Sequence, residues 1–211
     1  MAESCRICQS RRPKRNCPGI AGDICASCCG DQREVNISCP LDCQYLQEAH
    51  RRERPAELDI NSLPNKDIRV SEEFLNEQQE LVFFCFYTFA DAAMRTQGAV
   101  DADILSAIDA LIRTYRTAES GLVYETRPDD KIAAAVQDQF ARSIAELQKQ
   151  RSTEASLSPL RDSDVMRCLV FVQRYALMQQ NGRPRGRAFI QFVLRGLKIP
   201  QPQSMTAAAG Q

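Results

Sequence analysis

Eight of the ten cysteines in this chain lie in one stretch near its start, CRICQSRRPKRNCPGIAGDICASCCGDQREVNISCPLDC, from Cys5 to Cys43. The stretch holds two C-x2-C pairs, Cys5/Cys8 and Cys25/Cys28, a C-x3-C pair, Cys39/Cys43, and two further thiols, Cys17 and Cys29. Two close thiolates can grip one face of a tetrahedral zinc ion, and a second close pair completes the shell. The residues between them, among them RRPKR, PG and AGD, cannot build a hydrophobic core, so a metal or a set of disulfides must organise this piece. No apolar run precedes the cysteines in MAESCRIC, so no secretory signal is visible, and in a reducing interior the thiols stay available as ligands. Zinc is therefore expected, ahead of disulfides and of an iron–sulfur or redox centre. Eight thiolates match two structural zinc ions, with Cys5, Cys8, Cys17, Cys25, Cys28, Cys29, Cys39 and Cys43 as the ligands. The spacing leaves their pairing open.

The single histidine adds a variation. His50 lies seven residues past Cys43 in LDCQYLQEAHRRER, a segment that reads as a short helix beginning near Asp42. Among Arg51, Arg52 and Glu53 it is expected to be a solvated surface histidine. The competing reading makes it a zinc ligand, with Cys17 or Cys29 left free.

The succession C-x2-C, C-x2-C, C-x3-CQ and then a histidine resembles the cross-brace zinc fingers, the group that includes RING, MYND and HIT fingers. The matching positions are Cys5/Cys8, Cys25/Cys28, Cys39/Cys43 with Gln44, and His50. The chain departs from that pattern in three ways: no cysteine follows the histidine, the loop between Cys8 and Cys25 is long, and Cys17 and Cys29 are additional. The resemblance covers residues 5–50. It implies that alternate pairs share a metal, and that the module serves protein or nucleic-acid interaction more often than catalysis.

The elements that must position these residues follow from the hydrophobic period. Residues 1–50 form the cysteine-rich zinc module, cross-brace or treble-clef-like, with short β-ribbons expected around Glu34–Ser38. Residues 51–70 carry two prolines and the NSLPN turn signal and read as an ordered linker. From Ser71 the pattern becomes helical. A first helix is expected from Ser71, capped by its hydroxyl, to Gly98, with aromatic residues almost all round (Phe74, Phe83, Phe84, Phe86, Tyr87, Phe89), which predicts a central helix buried by several neighbours or by a second subunit. Further helices are expected from Asp101 or Asp103 to Glu119, from Pro128 to about 150, from Ser163 to about 180 and from 188 to 197. LVYETRP between the second and third reads as an extended connector. The fold class is thus mainly α: a zinc module followed by a bundle of about five helices over 71–198, with 199–211 a flexible tail.

Composition bounds the function. Lys plus Arg and Asp plus Glu number 27 each, so the whole chain has no general pull toward nucleic acid. The longest apolar run, LVFFCFYTFA, is too short to span a bilayer, and a cytoplasmic protein with no membrane partner is expected. No phosphate loop, nucleophile elbow or paired-histidine metalloprotease motif is present. The acidic pairs Asp101/Asp103, Asp129/Asp130 and Asp162/Asp164 all stand at helix starts, where they stabilise exposed amides. Two basic clusters stand out as candidate anion or nucleic-acid contacts: Arg11, Arg12, Lys14 and Arg15, and Arg183, Arg185 and Arg187. The second precedes a helix start, where Gly186 would let backbone amides approach a phosphate. The first expectation is a non-enzymatic adaptor or regulatory protein whose zinc module binds a protein partner and whose helical domain either forms a homo-oligomer or supplies a second surface. A DNA- or RNA-binding regulator using loops 11–15 and 183–187 comes second, and an enzyme with an unrecognised pocket in the helical domain third.

Overall fold

A computed structural model of the chain describes residues 4–54, 59, 62–121, 124–153 and 159–197. The fold is mainly helical, and it divides into two compact units: Met1–Arg54 with Asn181–Gln211, and Pro55–Gln180 between them. Among the described residues there are eight helices and one two-stranded antiparallel sheet, where about five helices were expected in the second half alone.

The first unit begins with strands β1 (Arg15–Cys17) and β2 (Gly22–Ile24), paired Arg15 to Ile24 and Cys17 to Gly22. Helix α1 (Ala26–Gln32) follows at once, and α2 (Gln44–Arg52) follows Cys43. The ribbon expected at Glu34–Ser38 is instead a tight turn closed by a bridge between Arg33 and Ile37, with Glu34 in the left-handed region at φ 53°. The last helix among the described residues, α8 (Ala188–Gly196), belongs to this unit and not to the bundle in which 71–198 placed it. Polar contacts tie it and the turn before it to the unit's first segment. Gln191 Nε2 donates to Leu41 O at 3.0 Å, and Arg185 N donates to Glu34 O at 2.8 Å.

The second unit is a bundle. The single helix expected over 71–97 is two, α3 (Glu72–Glu77) and α4 (Gln79–Arg95), because Gln78 leaves helical geometry at φ −105°, ψ 23°. Ser71 does cap the first turn, its Oγ accepting from Phe74 N at 3.3 Å. Helices α5 (Asp101–Glu119), α6 (Lys131–Thr153) and α7 (Asp162–Gln179) match the periodic reading closely. Helices α4 and α5 each pack on both α6 and α7, so the four enclose one core. Phe89 and Phe140 stack at its centre with ring centroids 4.5 Å apart, beside fully buried Ile104, Ile108 and Leu169. The chain's own neighbouring elements do not bury α4 all round: Phe83 is 49% and Tyr87 48% exposed, which corrects the expectation of burial by neighbours within the chain and leaves that of burial by a second subunit.

Two of the three acidic helix starts behave as caps, while at the third Asp162 accepts from Gln148 Nε2 and Asp164 from Arg161 Nε. Asp103 Oδ2 accepts from Val100 N at 2.8 Å, and Asp130 Oδ1 accepts from Ile132 N and Ala133 N at 2.7 and 3.0 Å. The linker's described part is pinned within the same unit: Arg174 donates to Asn65 O and Ile68 O, and Arg167 to Arg69 O. Leu58 and Ile60 of the linker, part of the connector at 122–128 and the tail 199–211 lie outside the described residues.

Candidate metal centre

The first close pair sits in a tight turn. Gln9 N donates to Cys5 O at 2.8 Å, and Gln9 takes φ 54°, a left-handed conformation that turns the chain sharply after Cys8. Arg6 N donates to Asp23 O at 3.0 Å and ties this turn to β2. The hairpin then delivers Cys25 as the N-cap of α1, its sulfur accepting from Cys28 N at 3.4 Å, and Cys28 follows on the helix's first turn. Turn, hairpin and helix start thus bring the sulfurs of Cys5, Cys8, Cys25 and Cys28 within 4.8 Å of one another. Tetrahedral zinc with Zn–S of ~2.3 Å needs sulfurs about 3.8 Å apart, so the four require only a small contraction to hold one ion.

The electrostatics suit a cation. Cys25 N donates to Cys5 Sγ at 3.2 Å. Burial opposes ionisation of Cys5, yet the backbone N–H groups of Cys8, Cys25 and Ile7 hold its thiol below the usual range. The Ser10 hydroxyl and the amides of Ser10 and Arg11 lower Cys8 to about 5. Cys28 is pushed up to about 12, chiefly by its contact with the Cys25 sulfur and by burial. Some thiols of the set are poised as thiolates while another holds its proton against them. A divalent cation resolves that conflict by neutralising the crowded negative charge. The Arg11 guanidinium donates to the Cys25 sulfur and adds positive charge beside the cluster.

All ten cysteines are free thiols. The pairs that meet are consecutive, Cys5/Cys8 with Cys25/Cys28, and not alternate as the cross-brace resemblance implied. Cys17, Cys29, Cys39 and Cys43 stand outside this cluster and line a separate small cavity of the same unit. Cys85, in the bundle, is a fully buried core thiol whose pKa burial raises far above the usual value.

His50 is neither a surface residue nor a ligand. It is buried, 7% exposed, with Nδ1 2.5 Å from Gln191 Oε1 and Nε2 2.9 Å from Glu34 Oε2. The Gln191 amide is oriented by its bond to Leu41 O, so its oxygen faces the ring. Both ring nitrogens therefore meet acceptors, and only the imidazolium satisfies both. Burial works against that charge, but the Glu34 carboxylate and Gln191 raise the His50 pKa above its usual value. Glu34, fully buried, is held low in spite of burial by His50, Asn181 Nδ2 at 2.8 Å and Arg187 N at 2.7 Å.

This node explains the second basic cluster. The start of α8 does receive an anion, but the anion is the chain's own Glu34 carboxylate. Gly186 is required for that approach, since a Cβ there would stand 2.4 Å from Asn181 Oδ1 and 3.0 Å from Arg183 O. Arg183 bonds the carbonyls of Gly30 and Arg33 at the end of α1 and so serves as a cap there. Arg15 stacks over Tyr45 at 4.5 Å. Arg12, Lys14 and Arg185 are exposed. Glu34, Asn181 and Gln191 escaped the sequence reading. Gln191 carried a signal, a polar residue inside the apolar run AFIQFVL, whereas Glu34 had none beyond its place in a charged stretch.

No protein-family model, curated protein or solved structure gives a significant match to this chain. No described helix is long and apolar enough to cross a membrane.

Proposed function

We propose that this chain is a non-enzymatic, zinc-dependent adaptor or regulatory protein that works through protein–protein contact in the cytoplasm, where reducing conditions keep its thiols available. The observation that carries the reading is the four-sulfur cluster of Cys5, Cys8, Cys25 and Cys28. Four thiolates fill the tetrahedral shell of zinc and leave no open position for water or substrate, which is the character of a structural ion. The order of tight turn, hairpin and helix start supports a treble-clef-like module, and the count of eight thiols supports a second ion. The half-exposed Phe83 and Tyr87, one helical turn apart on α4, supply an apolar surface for a protein partner or for a second copy of the chain.

The test has two parts. Purified protein should carry zinc that is lost in Cys25→Ser. A photo-crosslinking residue at position 87 should then capture a discrete partner in cells, and Phe83→Ser should abolish the capture. Zinc-free protein refutes the metal reading. A monomer by equilibrium sedimentation that also crosslinks to nothing refutes the interaction reading.

Charge segregation favours a second reading. The unit Met1–Arg54 with Asn181–Gln211 holds 14 Lys and Arg against 7 Asp and Glu, leaving 13 against 20 for Pro55–Gln180. A net +7 therefore stands against −7 within a chain whose total is zero. A zinc ion with four thiolates carries two negative charges and reduces the excess, but the unit stays basic. Nucleic acid bound through exposed Arg12, Lys14 and Arg185 would show a log–log salt slope of about −2.7 on duplex DNA. Fluorescence polarisation at low salt that detects no binding removes this reading.

A further inference from the structure

We propose that Cys17, Cys29, Cys39 and Cys43 form a second four-thiolate zinc site, built on a face of α1 that adjoins the first. This deepens the zinc-module reading above and rests on it.

The four residues come from four places in the fold. Cys17 ends β1, Cys29 lies on α1, Cys39 follows the turn that Arg33 and Ile37 close, and Cys43 is the N-cap of α2. All four nevertheless line one small cavity, whose other walls include the apolar Ile24, Ile37 and Leu46 and the arginines Arg15 and Arg33, with the sulfurs less closely gathered than those of the first cluster. Cys17, Cys29 and Cys39 are each 8% exposed. Successive residues of an α-helix point about 100° apart. Cys28 on α1 therefore turns into the first cluster while Cys29 turns into this cavity, and one helix serves both.

The approach of the strands is built for it. Gly19, two residues past Cys17, lies so close to the segment entering Cys39 that a Cβ would stand 2.6 Å from Ile37 Cγ2 and 2.9 Å from Ser38 O. Only glycine lets the Cys17 turn close against that segment. The sulfurs are also dressed as metal-bound thiolates are. The amides of Gly19 and Ile20 point at the Cys17 sulfur and the Glu34 amide at that of Cys39. Arg33 Nη2 lies 3.9 Å from Cys29 Sγ. Such donors are the outer partners that orient ligands and hold negative charge on sulfur.

The reading of these four as ordinary core thiols fails on composition. Nine buried residues form the core cluster around these cysteines, and six are cysteines, with only Ile24, Ile37 and Leu46 aliphatic; the buried apolar residues of α8 stand outside that cluster. Three aliphatic side chains do not organise a segment the length of 4–54.

Native mass spectrometry of the full chain, purified without chelator, decides the matter. The unsubstituted protein should carry two zinc ions, and the double variant Cys39→Ser/Cys43→Ser should carry one. Cobalt titration of the unsubstituted apoprotein guards against a misfolded variant: the tetrathiolate absorption should grow linearly to two equivalents. One zinc in the unsubstituted chain, with a cobalt break at one equivalent, overturns the second site and leaves the first intact. No metal at all overturns both. An iron–sulfur absorption in place of zinc overturns the assignment of the ion.

Discussion

Replacing Glu34 with Gln should loosen the docking of α8 far more than a change of two atoms suggests. The Glu34 carboxylate faces three donors: Arg187 N at Oε1, and His50 Nε2 and Asn181 Nδ2 at Oε2. A glutamine offers one oxygen and one NH2, so in either orientation its NH2 confronts an N–H. Turning Asn181 does not rescue the contact, because its Oδ1 accepts from Arg183 N at 3.2 Å. The imidazolium of His50 loses its counter-charge in a buried site at the same time. Leaving one partner of a buried pair uncompensated costs about 3–5 kcal/mol. For a unit of about 85 residues, the whole stability is roughly 4–13 kcal/mol. Amide exchange of the peptide containing Arg185 and Arg187 reads the effect directly, since both N–H groups bond to Glu34. Its exchange should accelerate by about a hundred- to several-thousand-fold, while peptides around Phe140 in the bundle stay unchanged. Acceleration of less than about threefold, a free-energy change below roughly 0.7 kcal/mol, would show that the buried pair does not hold α8.

Three further outcomes follow from particular contacts. The His50 pKa is raised from 6.5, so the pair's contribution is complete below that pH and is lost as pH rises through the folded value. Protection of 181–197 should therefore decline on the alkaline side in the unsubstituted chain and stay flat in His50→Gln. The Glu34 limb lies on the acid side, below 4.5, where thiol protonation also releases metal, so the alkaline limb is the cleaner measurement. Gly19→Ala should cost about 1–3 kcal/mol by overpacking against Ile37 and Ser38. Metal analysis should show it losing one zinc while keeping the other. Phe140→Ala removes a fully buried ring stacked on Phe89 and should destabilise the bundle by about 3–5 kcal/mol in urea denaturation, with metal content unchanged.

The cysteine pairs were legible because zinc chemistry fixes both residue type and local spacing. Which pairs meet was not, because that depends on the hairpin of 15–24, and its three-residue strands carry too little alternation to be recognised. The bundle's α5, α6 and α7 were legible from faces such as Ile104, Ile108, Leu111 and Val136, Phe140, Ile144, whose period is helical and whose neighbours are polar. The break at Gln78 was invisible, since no proline or glycine marks it. The exposure of Phe83 and Tyr87 was also hidden, because an aromatic run without a polar face does not say which side is covered. The largest shift concerned α8. Periodicity establishes that a helix has an apolar face but not what that face meets, and the polar contacts that tie α8 to the cysteine segment, through Glu34, His50 and Gln191, leave no periodic trace.

That assignment bears on the central claim, that metal organises the unit Met1–Arg54 with Asn181–Gln211 and not merely a loop at the chain's start. Hydrogen exchange read by mass spectrometry, before and after removal of metal with a chelator, tests it most directly. Peptides of 4–54 and of 181–197 should lose protection together, while those of 72–121, 124–153 and 162–179 keep theirs, since the bundle has its own apolar core. Unchanged protection of 4–54 would contradict the metal's organising role, and loss throughout the bundle would contradict the division of the chain.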